Sequence, residues 1–396
     1  HMQTRERTKS KVVVSSTNEA KTRRTWVSGI LATGQYASAN ILLLLGSVSL
    51  LIGGWMPFAV ILLIMVFGSF ADELSGEELD RLGDGARTFY NVNLYLALPL
   101  MCLLAVLLAV YARSASFTEQ PLQTIGAIWV VGYLFALVGA TVGHELTHRQ
   151  GWIPQAVAHV LLGFTFNTSF VIYHVHVHHR RVGSYDEAST ARRGERPLPF
   201  LVRAVYEQYA QAASVEAERL RRKGLPVWSR HNRFLQAIAA PLAIIAVVAL
   251  IGGPFALLLF GLAAALGRFF HELINYVQHY GLVRTENAPI RPRHSWDCYH
   301  RLSNVLHYNL PRHSDHHMFA TKPFWRLDTA KDVPMLPYGY QTMATFALVF
   351  PLWRYVMRPW LADWDRRFAS EAELEIIRSR GWEVTEQPAR SPSVAE

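Results

Sequence analysis

Six stretches of this chain are predominantly apolar over about 15–24 residues, close to the roughly 20 helical residues that cross the hydrocarbon core of a bilayer. Polar loops, or breaks rich in glycine and proline, separate them. Because backbone polar groups must be satisfied inside a membrane, the pattern predicts an all-α, polytopic membrane fold. The predicted transmembrane helices cover residues 29–52, 57–71, 90–110, 125–142, 234–251 and 255–274.

Composition and charge agree with this class of protein. Hydrophobic residues make up 51% of the chain, and the net charge is +9. Such a charge would suit nucleic acid or a membrane surface, but most Lys and Arg residues lie outside the predicted outer loops. The positive-inside rule then makes them cytoplasmic flanks and places both termini in the cytoplasm. We therefore predict a lipid bilayer, and no nucleic acid, as the partner of these charges.

The polar segments give the predicted organisation of the chain. His1 and Met2 look like the remnant of an expression tag. The tail is rich in Pro, Ser and Glu, which predicts disorder. The predicted parts are a basic cytoplasmic arm at 1–28, a single membrane domain at 29–379 with cytoplasmic segments 180–233 and 284–337, and a disordered tail at 380–396.

Most of the histidines are concentrated in four short motifs. In three of these motifs two histidines stand four residues apart, as His144 and His148 do, so their imidazoles share one face of a helix. That is the spacing of a helical metal-binding pair. His159 and His231 stand alone, and we interpret them as ordinary hydrogen-bonded histidines. The four motifs cover residues 144–148, 174–179, 275–281 and 313–317.

Together the motifs offer more ligands than one metal ion uses. A single zinc needs four, so about nine candidate imidazoles predict two metals with four or five ligands each. Cys102 and Cys298 form no C-x-x-C pair, which excludes a multi-thiolate site within this chain. Four further residues are predicted to support the imidazoles through hydrogen bonds to their ring N–H groups. These are Glu145, Asp186, Asn275 and Asp315.

The apolar segment 154–173 lies between the first two motifs. If it crossed the bilayer, those motifs would lie on opposite faces and could not share a site. We therefore predict a re-entrant or interfacial helix here, with all four motifs in a histidine-rich cap on the cytoplasmic side. A true fifth span, with unrelated histidines on each side, is the alternative. Residues 340–357, interrupted by Pro351, are also predicted to lie at the interface.

The motifs resemble those of the integral-membrane, histidine-rich di-iron enzymes, which include fatty-acid desaturases, xylene-type monooxygenases and alkane hydroxylases. Within this superfamily the chain is most similar to membrane alkane 1-monooxygenases of the AlkB type. The similarity covers roughly residues 30–365. The stretches that carry it are 224–229, 275–282, 294–296, 303–304 and 312–317.

The resemblance implies a particular set of iron ligands. His176 and His271 fall outside the family pattern and are left out, although a desaturase-like interpretation would include His176. Tyr173 stands where the family often has an acid, which removes an expected hydrogen bond but no ligand. The implied ligands are His144, His148, His174, His178, His179, His279, His313, His316 and His317.

The resemblance also implies an activity, cofactors and partners. The activity is terminal hydroxylation of medium-to-long n-alkanes to 1-alkanols, with O2 as co-substrate, at two non-haem iron ions and without haem or flavin in this chain. Electrons would come from rubredoxin, reduced by an NAD(P)H-dependent rubredoxin reductase. Rubredoxin would be separate or removed from the tail, which would suit a former linker. The protein would lie in the bacterial cytoplasmic (inner) membrane.

Three other functions fit part of the pattern. A desaturase or hydroxylase of the same superfamily would act on an acyl lipid instead of a free alkane. A membrane metal transporter would need ionisable ligands near the bilayer midplane, whereas these cluster at its edge. A zinc protease would use His144, Glu145 and His148, which leaves the other candidate ligands unexplained.

Overall fold

The computed structural model describes residues 31–382. The predicted arm 1–28 and residues 383–396 of the predicted tail lie outside this range. The described part of the chain is built from helices and contains no β-strand, which confirms the all-α prediction. In chain order its main helices are α1 (Leu31–Ile52), α2 (Met56–Leu74), α3 (Asp84–Tyr111), α4 (Pro121–Thr147), α5 (Trp152–Gly163), α6 (170–181), α7 (Pro197–Arg222), α8 (Arg233–His279), α9 (Arg301–Leu306), α10 (His313–Met318), α11 (Tyr340–Leu348), α12 (Phe350–Arg367) and α13 (Glu371–Ser379).

Among the described residues, five helices are long and apolar enough to cross a membrane. These are α1 to α4 and α8. The first four match the first four predicted spans to within a few residues. The fifth and sixth predicted spans, 234–251 and 255–274, appear as the single element α8, so the count of six crossings stays a prediction.

The two halves of α8 are not collinear. Gly253 has non-helical backbone angles of φ 72° and ψ −164°. Gly163 lies against Pro241, whereas Thr165 lies against Gly267. In a straight helix Pro241 and Gly267 would be roughly 39 Å apart, too far to reach neighbouring residues of one loop. The chain therefore folds back at Gly253, where a positive φ favours glycine.

The helix between the first two motifs is too short to cross a membrane. Helix α5 has 12 residues and spans about 18 Å, against about 30 Å of hydrocarbon. Irregular chain then leads into α6, which carries the second motif. The predicted interfacial stretch 340–357 falls on two helices, α11 and α12. Pro351 lies in the first turn of α12, so it begins a helix instead of interrupting one.

Widened π-helical turns accompany two of the histidine motifs. Residues Phe135–Ala140 of α4 form one immediately before the first motif. Residues His174–His178 form another, which is the second motif itself. A π turn adds a residue to the turn and so changes which side chains share a face. These turns help to set the direction in which the imidazoles point.

The membrane helices and the histidine-rich cap share one apolar core. A continuous cluster of buried apolar side chains extends from Tyr36 in α1 to Ile377 in α13. Helices α4 and α8 approach closely because Gly132 and Gly267 meet with no side chain between them. The cap is therefore packed directly onto the membrane helices.

A buried carboxylate attaches the C-terminal helix to the loop ahead of the fourth motif. Glu373 in α13 accepts hydrogen bonds from His294 Nε2 at 2.9 Å and from Arg293 Nη2 at 3.1 Å. It also accepts one from the backbone N–H of Ser370 at 2.8 Å. Burial alone would raise the pKa of Glu373, but these donors lower it to about 2.

We expect the Glu373→Gln variant to loosen α13, because the loss of charged hydrogen bonds costs roughly 1.5–3 kcal/mol. The contribution of the ionised Glu373 is present above pH 4.5, its ordinary pKa, and is lost as the pH falls toward 2. Hydrogen–deuterium exchange of residues 371–379 measures both effects. The exposed Glu375, changed to Gln, is the matched control. Equal exchange in the two variants would contradict this role for Glu373.

Candidate metal centre

The structure brings together all nine histidines that the sequence proposes as ligands. They form two groups in which each residue offers one nitrogen, and the nitrogens of a group lie within 4.8 Å of one another. The first group is His144, His148, His174, His179 and His316. The second group is His178, His279, His313 and His317.

The two groups are direct neighbours. His178 and His179 are adjacent in the chain but belong to different groups. The ring of His179 lies 4.6 Å from that of His317, measured between centroids. Helix α10 also serves both groups, since His316 belongs to the first and His317 to the second. Four separate parts of the chain therefore build one compact centre.

The spacing of the ring nitrogens fits metal coordination. His174 Nε2 lies 3.1 Å from His148 Nε2 and 3.0 Å from His179 Nε2. In the second group His313 Nε2 lies 3.0 Å from His279 Nε2 and 3.2 Å from His317 Nε2. Two nitrogens that each bind a metal at about 2.1 Å are about 3.0–3.4 Å apart. The imidazoles are thus already spaced as ligands of a common ion.

Several of these nitrogens have no hydrogen-bond partner in the described part of the chain. The buried Nε2 atoms of His144, His178 and His316 are examples. Leaving a buried polar atom unpaired costs about 1–3 kcal/mol. Burial also lowers the pKa of His174, His316 and His317 well below the ordinary value, which keeps their imidazoles neutral. Neutral imidazole is the form that binds metal, so the donor set fits a cation.

Glu187 supports one imidazole and was not predicted. Its fully buried carboxylate accepts a hydrogen bond from His178 Nδ1 at 3.0 Å. It also accepts from Thr190 Oγ1 at 2.5 Å and from the hydroxyl of Tyr173. Burial would raise the pKa of Glu187, but His178 and these donors lower it to about 2. The second motif has Tyr173 at the position where an acid was expected. Glu187, which contacts that tyrosine, supplies a carboxylate instead.

The prediction that Asp186 supports a ligand is wrong. Its side chain is 70% exposed and lies 3.8 Å from Arg181. Asp186 and Glu187 are adjacent acids, and the chain turns Glu187 inward. The sequence does contain a signal for a supporting acid, because two acids follow the second motif. It has no periodic pattern that shows which of the two points inward.

The other predicted supporting residues also contact groups other than imidazoles. Glu145 accepts hydrogen bonds from Arg149 at 2.6 Å and from the backbone N–H of Phe324. Asp315 pairs with Lys322 at 2.9 Å. Within the described residues neither acid bonds to a histidine, so the predicted role in fixing the ring N–H groups is wrong for both. Both acids instead attach their motifs to the segment 322–328.

Asn275 lies at the metal centre, but its side chain hydrogen-bonds to the carboxylate of Glu272. Its Nδ2 donates to Glu272 Oε2 at 3.1 Å. Glu272 also accepts from Gln208 Nε2 at 2.9 Å and forms a salt bridge with Arg268 at 3.0 Å. Gln208 in turn donates to Ser189 Oγ at 3.0 Å, beside Glu187. A buried polar network therefore connects the second and third motifs.

The histidines that were left out lie outside both groups. His271 is buried, with Nδ1 at 3.2 Å from Asn167 Nδ2. His176 lies on the outer side of α6 near Arg233. His159 lies near Arg233 as well, and His231 is exposed. These four residues are therefore not among the histidines of the two groups.

Two buried residues hold the fourth motif in place. Arg312 precedes it and donates hydrogen bonds to the carbonyls of Leu327 at 2.8 Å and Glu78 at 3.0 Å. Asp297 accepts from the backbone N–H of Ser314 at 2.7 Å and from its hydroxyl at 2.8 Å. Burial raises the pKa of Asp297 to about 7. These contacts attach α10 to three separate loops.

An apolar cavity opens beside both groups. His144 and His174 of the first group, and His313 of the second, form part of its wall. The remaining wall exposes mostly apolar surface, although polar side chains such as Gln278 and Thr345 also line it, and it comes from α2, α4, α8, α11 and the loop between α9 and α10. Its apolar residues include Met65, Ala136, Leu137, Ala140, Phe270, Ile274, Leu310, Ala344 and Leu348.

The chain is similar to one protein family and to several individual proteins. Residues 120–347, which contain all nine histidines, match the fatty acid desaturase family. The chain is 32% identical over 300 residues to the xylene/toluene monooxygenase hydroxylase component XylM of Pseudomonas putida, covering 74% of this chain and 81% of that protein. It is 35% identical over 280 residues to alkane 1-monooxygenase 1 of Pseudomonas aeruginosa, covering 68% and 70%. It is 28% identical over 336 residues to alkane 1-monooxygenase of Acinetobacter baylyi, covering 83% and 80%.

We expect the Glu187→Gln variant to bind divalent metal roughly 10- to 100-fold more weakly, because Glu187 orients His178 and raises the basicity of its ring. Metal titration of chelator-treated protein measures this change. The Asp186→Asn variant alters the neighbouring, exposed acid and should leave the affinity unchanged. A weakened affinity in Asp186→Asn, with a normal one in Glu187→Gln, would reverse the assignment.

Proposed function

The chain belongs to the fatty acid desaturase family, in its alkane-monooxygenase branch, and from this premise we propose that it hydroxylates the terminal methyl group of n-alkanes. In this reaction one oxygen atom of O2 enters a terminal C–H bond. The other leaves as water, which requires two electrons and two protons from outside the chain. The products are a 1-alkanol and water.

The observation that carries this proposal is the apolar cavity with histidines of both groups in its wall. An n-alkane has no polar group to recognise, so it must be held by apolar contact. Each buried CH2 contributes about 0.8 kcal/mol, so binding would improve with chain length up to the length of the cavity. The position of His144 and His313 in the wall would bring one end of such a chain to the metal centre.

We propose that each histidine group holds one non-haem iron ion. When bound, iron would supply the redox chemistry that activates O2. Imidazole also suits zinc, copper and nickel, so the choice of iron rests on the family. The proposed ligands are the five histidines of the first group and the four of the second.

The chain itself would orient the alkane and exclude water. Small residues such as Ala136, Ala140 and Ala344 leave space along the cavity, whereas Phe270 and Leu137 narrow it. Leu348, a wall residue at the end of α11, is 43% exposed, so the wall reaches the molecular surface there. A lateral opening there would let the alkane enter from the bilayer without crossing water. Holding the methyl group at a fixed position can supply a large part of the decrease in activation free energy in such reactions.

Electrons would be delivered to the side of the molecule that carries the cap. We propose rubredoxin as the donor, reduced by an NAD(P)H-dependent reductase. A depression outside α6 is lined by several arginines, among them Arg181, Arg192, Arg284 and Arg380. A basic surface of this kind favours docking of an acidic partner. Arg284 Nη2 donates to the carbonyl of Arg180, next to His179, so this surface is close to both histidine groups.

The positive-inside rule supports placing this face in the cytoplasm, with the protein in the bacterial inner membrane. Among the described residues, the arginine-rich helix α7 and the basic loop after α8 both contact elements that carry the histidine motifs, through Gln208–Glu272 and Arg284–Arg180. The acidic residues that precede α3 count little in this rule.

A second candidate reaction is hydroxylation of a methyl group on an aromatic ring. It is favoured by the similarity to the xylene/toluene monooxygenase component, of which the chain covers 81%. The two reactions share the metal centre and differ only in the shape of substrate that the cavity accepts.

The main experiment combines iron analysis of detergent-purified protein with activity assays. The assays supply rubredoxin, its reductase, NADH and one of three substrates, namely n-octane, p-xylene or an acyl lipid. We expect one iron for each of the two histidine groups and 1-octanol as the product. Conversion of p-xylene alone would establish the second candidate, and conversion of the acyl lipid alone would move the protein to the desaturases. Inactivity on all three after reconstitution with ferrous iron would contradict the oxygenase function.

The cavity makes a separate prediction. The Ala344→Phe variant should fill part of it and lower kcat/KM for n-alkanes roughly ten- to a hundredfold, which corresponds to an overpacking cost of about 1–3 kcal/mol. Val349→Phe, at an exposed position outside the cavity wall, is the control. The iron content of both variants should equal that of the parent. Equal activity of the two variants would show that the alkane lies elsewhere.

A further inference from the structure

A second apolar groove lies on the outside of the metal centre. It has a volume of about 790 Å³ and runs between α5, the outer face of α6 and the first turns of α8. Binding pockets for small molecules typically measure about 300–1,000 Å³. Its floor is made mainly of small and aliphatic side chains, which are Ala156, Val160, Val171, Ile172, Val175, Ala237, Ala239 and Ala240.

A basic basin of about 570 Å³ adjoins this groove. The two share His176 and Arg233, which line both. The basin also contains four cations outside the groove and one carboxylate, Glu218. Those cations are Arg180, Arg219, Arg222 and Lys223.

The positive charge of the basin is only partly neutralised. Glu216 pairs with Arg219 at 2.6 Å and with Arg233 at 3.1 Å. Glu218 pairs with Arg222 at 3.3 Å. Two carboxylates therefore face the five cations of the basin, which leaves three positive charges in excess with His176 neutral. Arg180 and Lys223 form no salt bridge with any residue in the range 31–382.

The groove and the basin meet where the apolar helices begin. Arg233 is the first residue of α8, which is long and apolar enough to cross a membrane. Trp152, at the start of α5, lines the groove and is 79% exposed. Tryptophan in such a position is typical of the boundary between lipid and water. The groove therefore extends toward the acyl region, and the basin toward the headgroups.

We propose that this combined surface binds one anionic phospholipid. The phosphate would lie in the basin, within reach of Arg180, Arg222 and Lys223. One acyl chain would lie in the groove, against Val171 and Val175. The neighbouring charges and apolar side chains complement the two parts of such a molecule.

The position of the lipid would give it a structural effect on the metal centre. The outer face of α6, with Val175 and His176, forms a wall of the groove. The inner face of the same helix carries His174, His178 and His179. A lipid on the outer face would therefore pack against the segment that contributes to both histidine groups. His176 and His159, which have no place in the metal centre, line this lipid site.

The test is native mass spectrometry of the full chain, delipidated in detergent and then given equal amounts of phosphatidylglycerol and phosphatidylcholine of the same acyl composition. We expect one phosphatidylglycerol to be retained in preference. In the Arg222→Gln/Lys223→Gln variant this preference should fall roughly tenfold to thirtyfold, since each cation near the headgroup contributes about 1 kcal/mol. The control removes two exposed cations elsewhere, through Arg291→Gln/Lys331→Gln, and should keep the preference.

A second pair of variants tests the groove. Ala156→Trp fills it from an exposed position and should reduce retention of phosphatidylglycerol. Ile153→Trp, on the same helix but outside the groove, should not. Equal retention of the two lipids by the parent protein would overturn the proposal. So would displacement by millimolar inorganic phosphate with no effect of Ala156→Trp, which would indicate a site for a free anion.

One further outcome separates a lipid from a protein partner. If Arg222→Gln/Lys223→Gln keeps its lipid preference but raises the KM for rubredoxin, the basin is a docking surface for a protein and the lipid proposal fails. If instead the lipid preference falls and the KM for rubredoxin stays unchanged, the proposal stands whichever substrate the enzyme hydroxylates.

Discussion

The concentration of nine imidazole rings, seven of them buried, in one small volume is the constraint on which the rest of the structure depends. Rings packed as closely as His144 and His174, whose centroids are 4.5 Å apart, leave polar nitrogens without solvent. Several of these atoms have no partner among the described residues, so the arrangement is costly unless a cation occupies it. The surrounding fold must therefore hold the rings in position against that cost.

The fold meets this requirement by attaching each motif to more than one element. Glu187 fixes His178, and the network through Gln208 and Glu272 connects the second motif with the third. Arg312 and Asp297 fix the fourth motif to three loops. Helices α4 and α8 carry the first and third motifs and pack closely at their glycines. The motifs are thus positioned by buried polar contacts on one side and by the apolar core on the other.

Much of this could be predicted from the sequence, because the strongest signals are local. Apolar length locates the membrane helices, and the spacing of four residues locates imidazoles such as His313 and His317 on one helical face. The supporting acids could not be predicted, because their role depends on tertiary direction. Asp186 and Glu187 are adjacent, and only the folded chain shows that Glu187 points inward. The gap between the predicted spans 234–251 and 255–274 contains Gly253, where the chain folds back. Whether each of the two arms crosses the membrane depends on three-dimensional geometry, which composition does not contain.

The doublet His178–His179 has a consequence for how this protein can vary. One peptide bond joins a residue of the first histidine group to a residue of the second, so the offset between the groups is set by a single step of the chain. Neighbouring residues on a helical turn point in different directions, so the loss or gain of one residue between 174 and 179 would turn the later rings away from both groups. Substitution at the outward positions Val175 and His176 has no such effect. An insertion or deletion in this segment would therefore disrupt the metal centre more than a substitution at an outward position would.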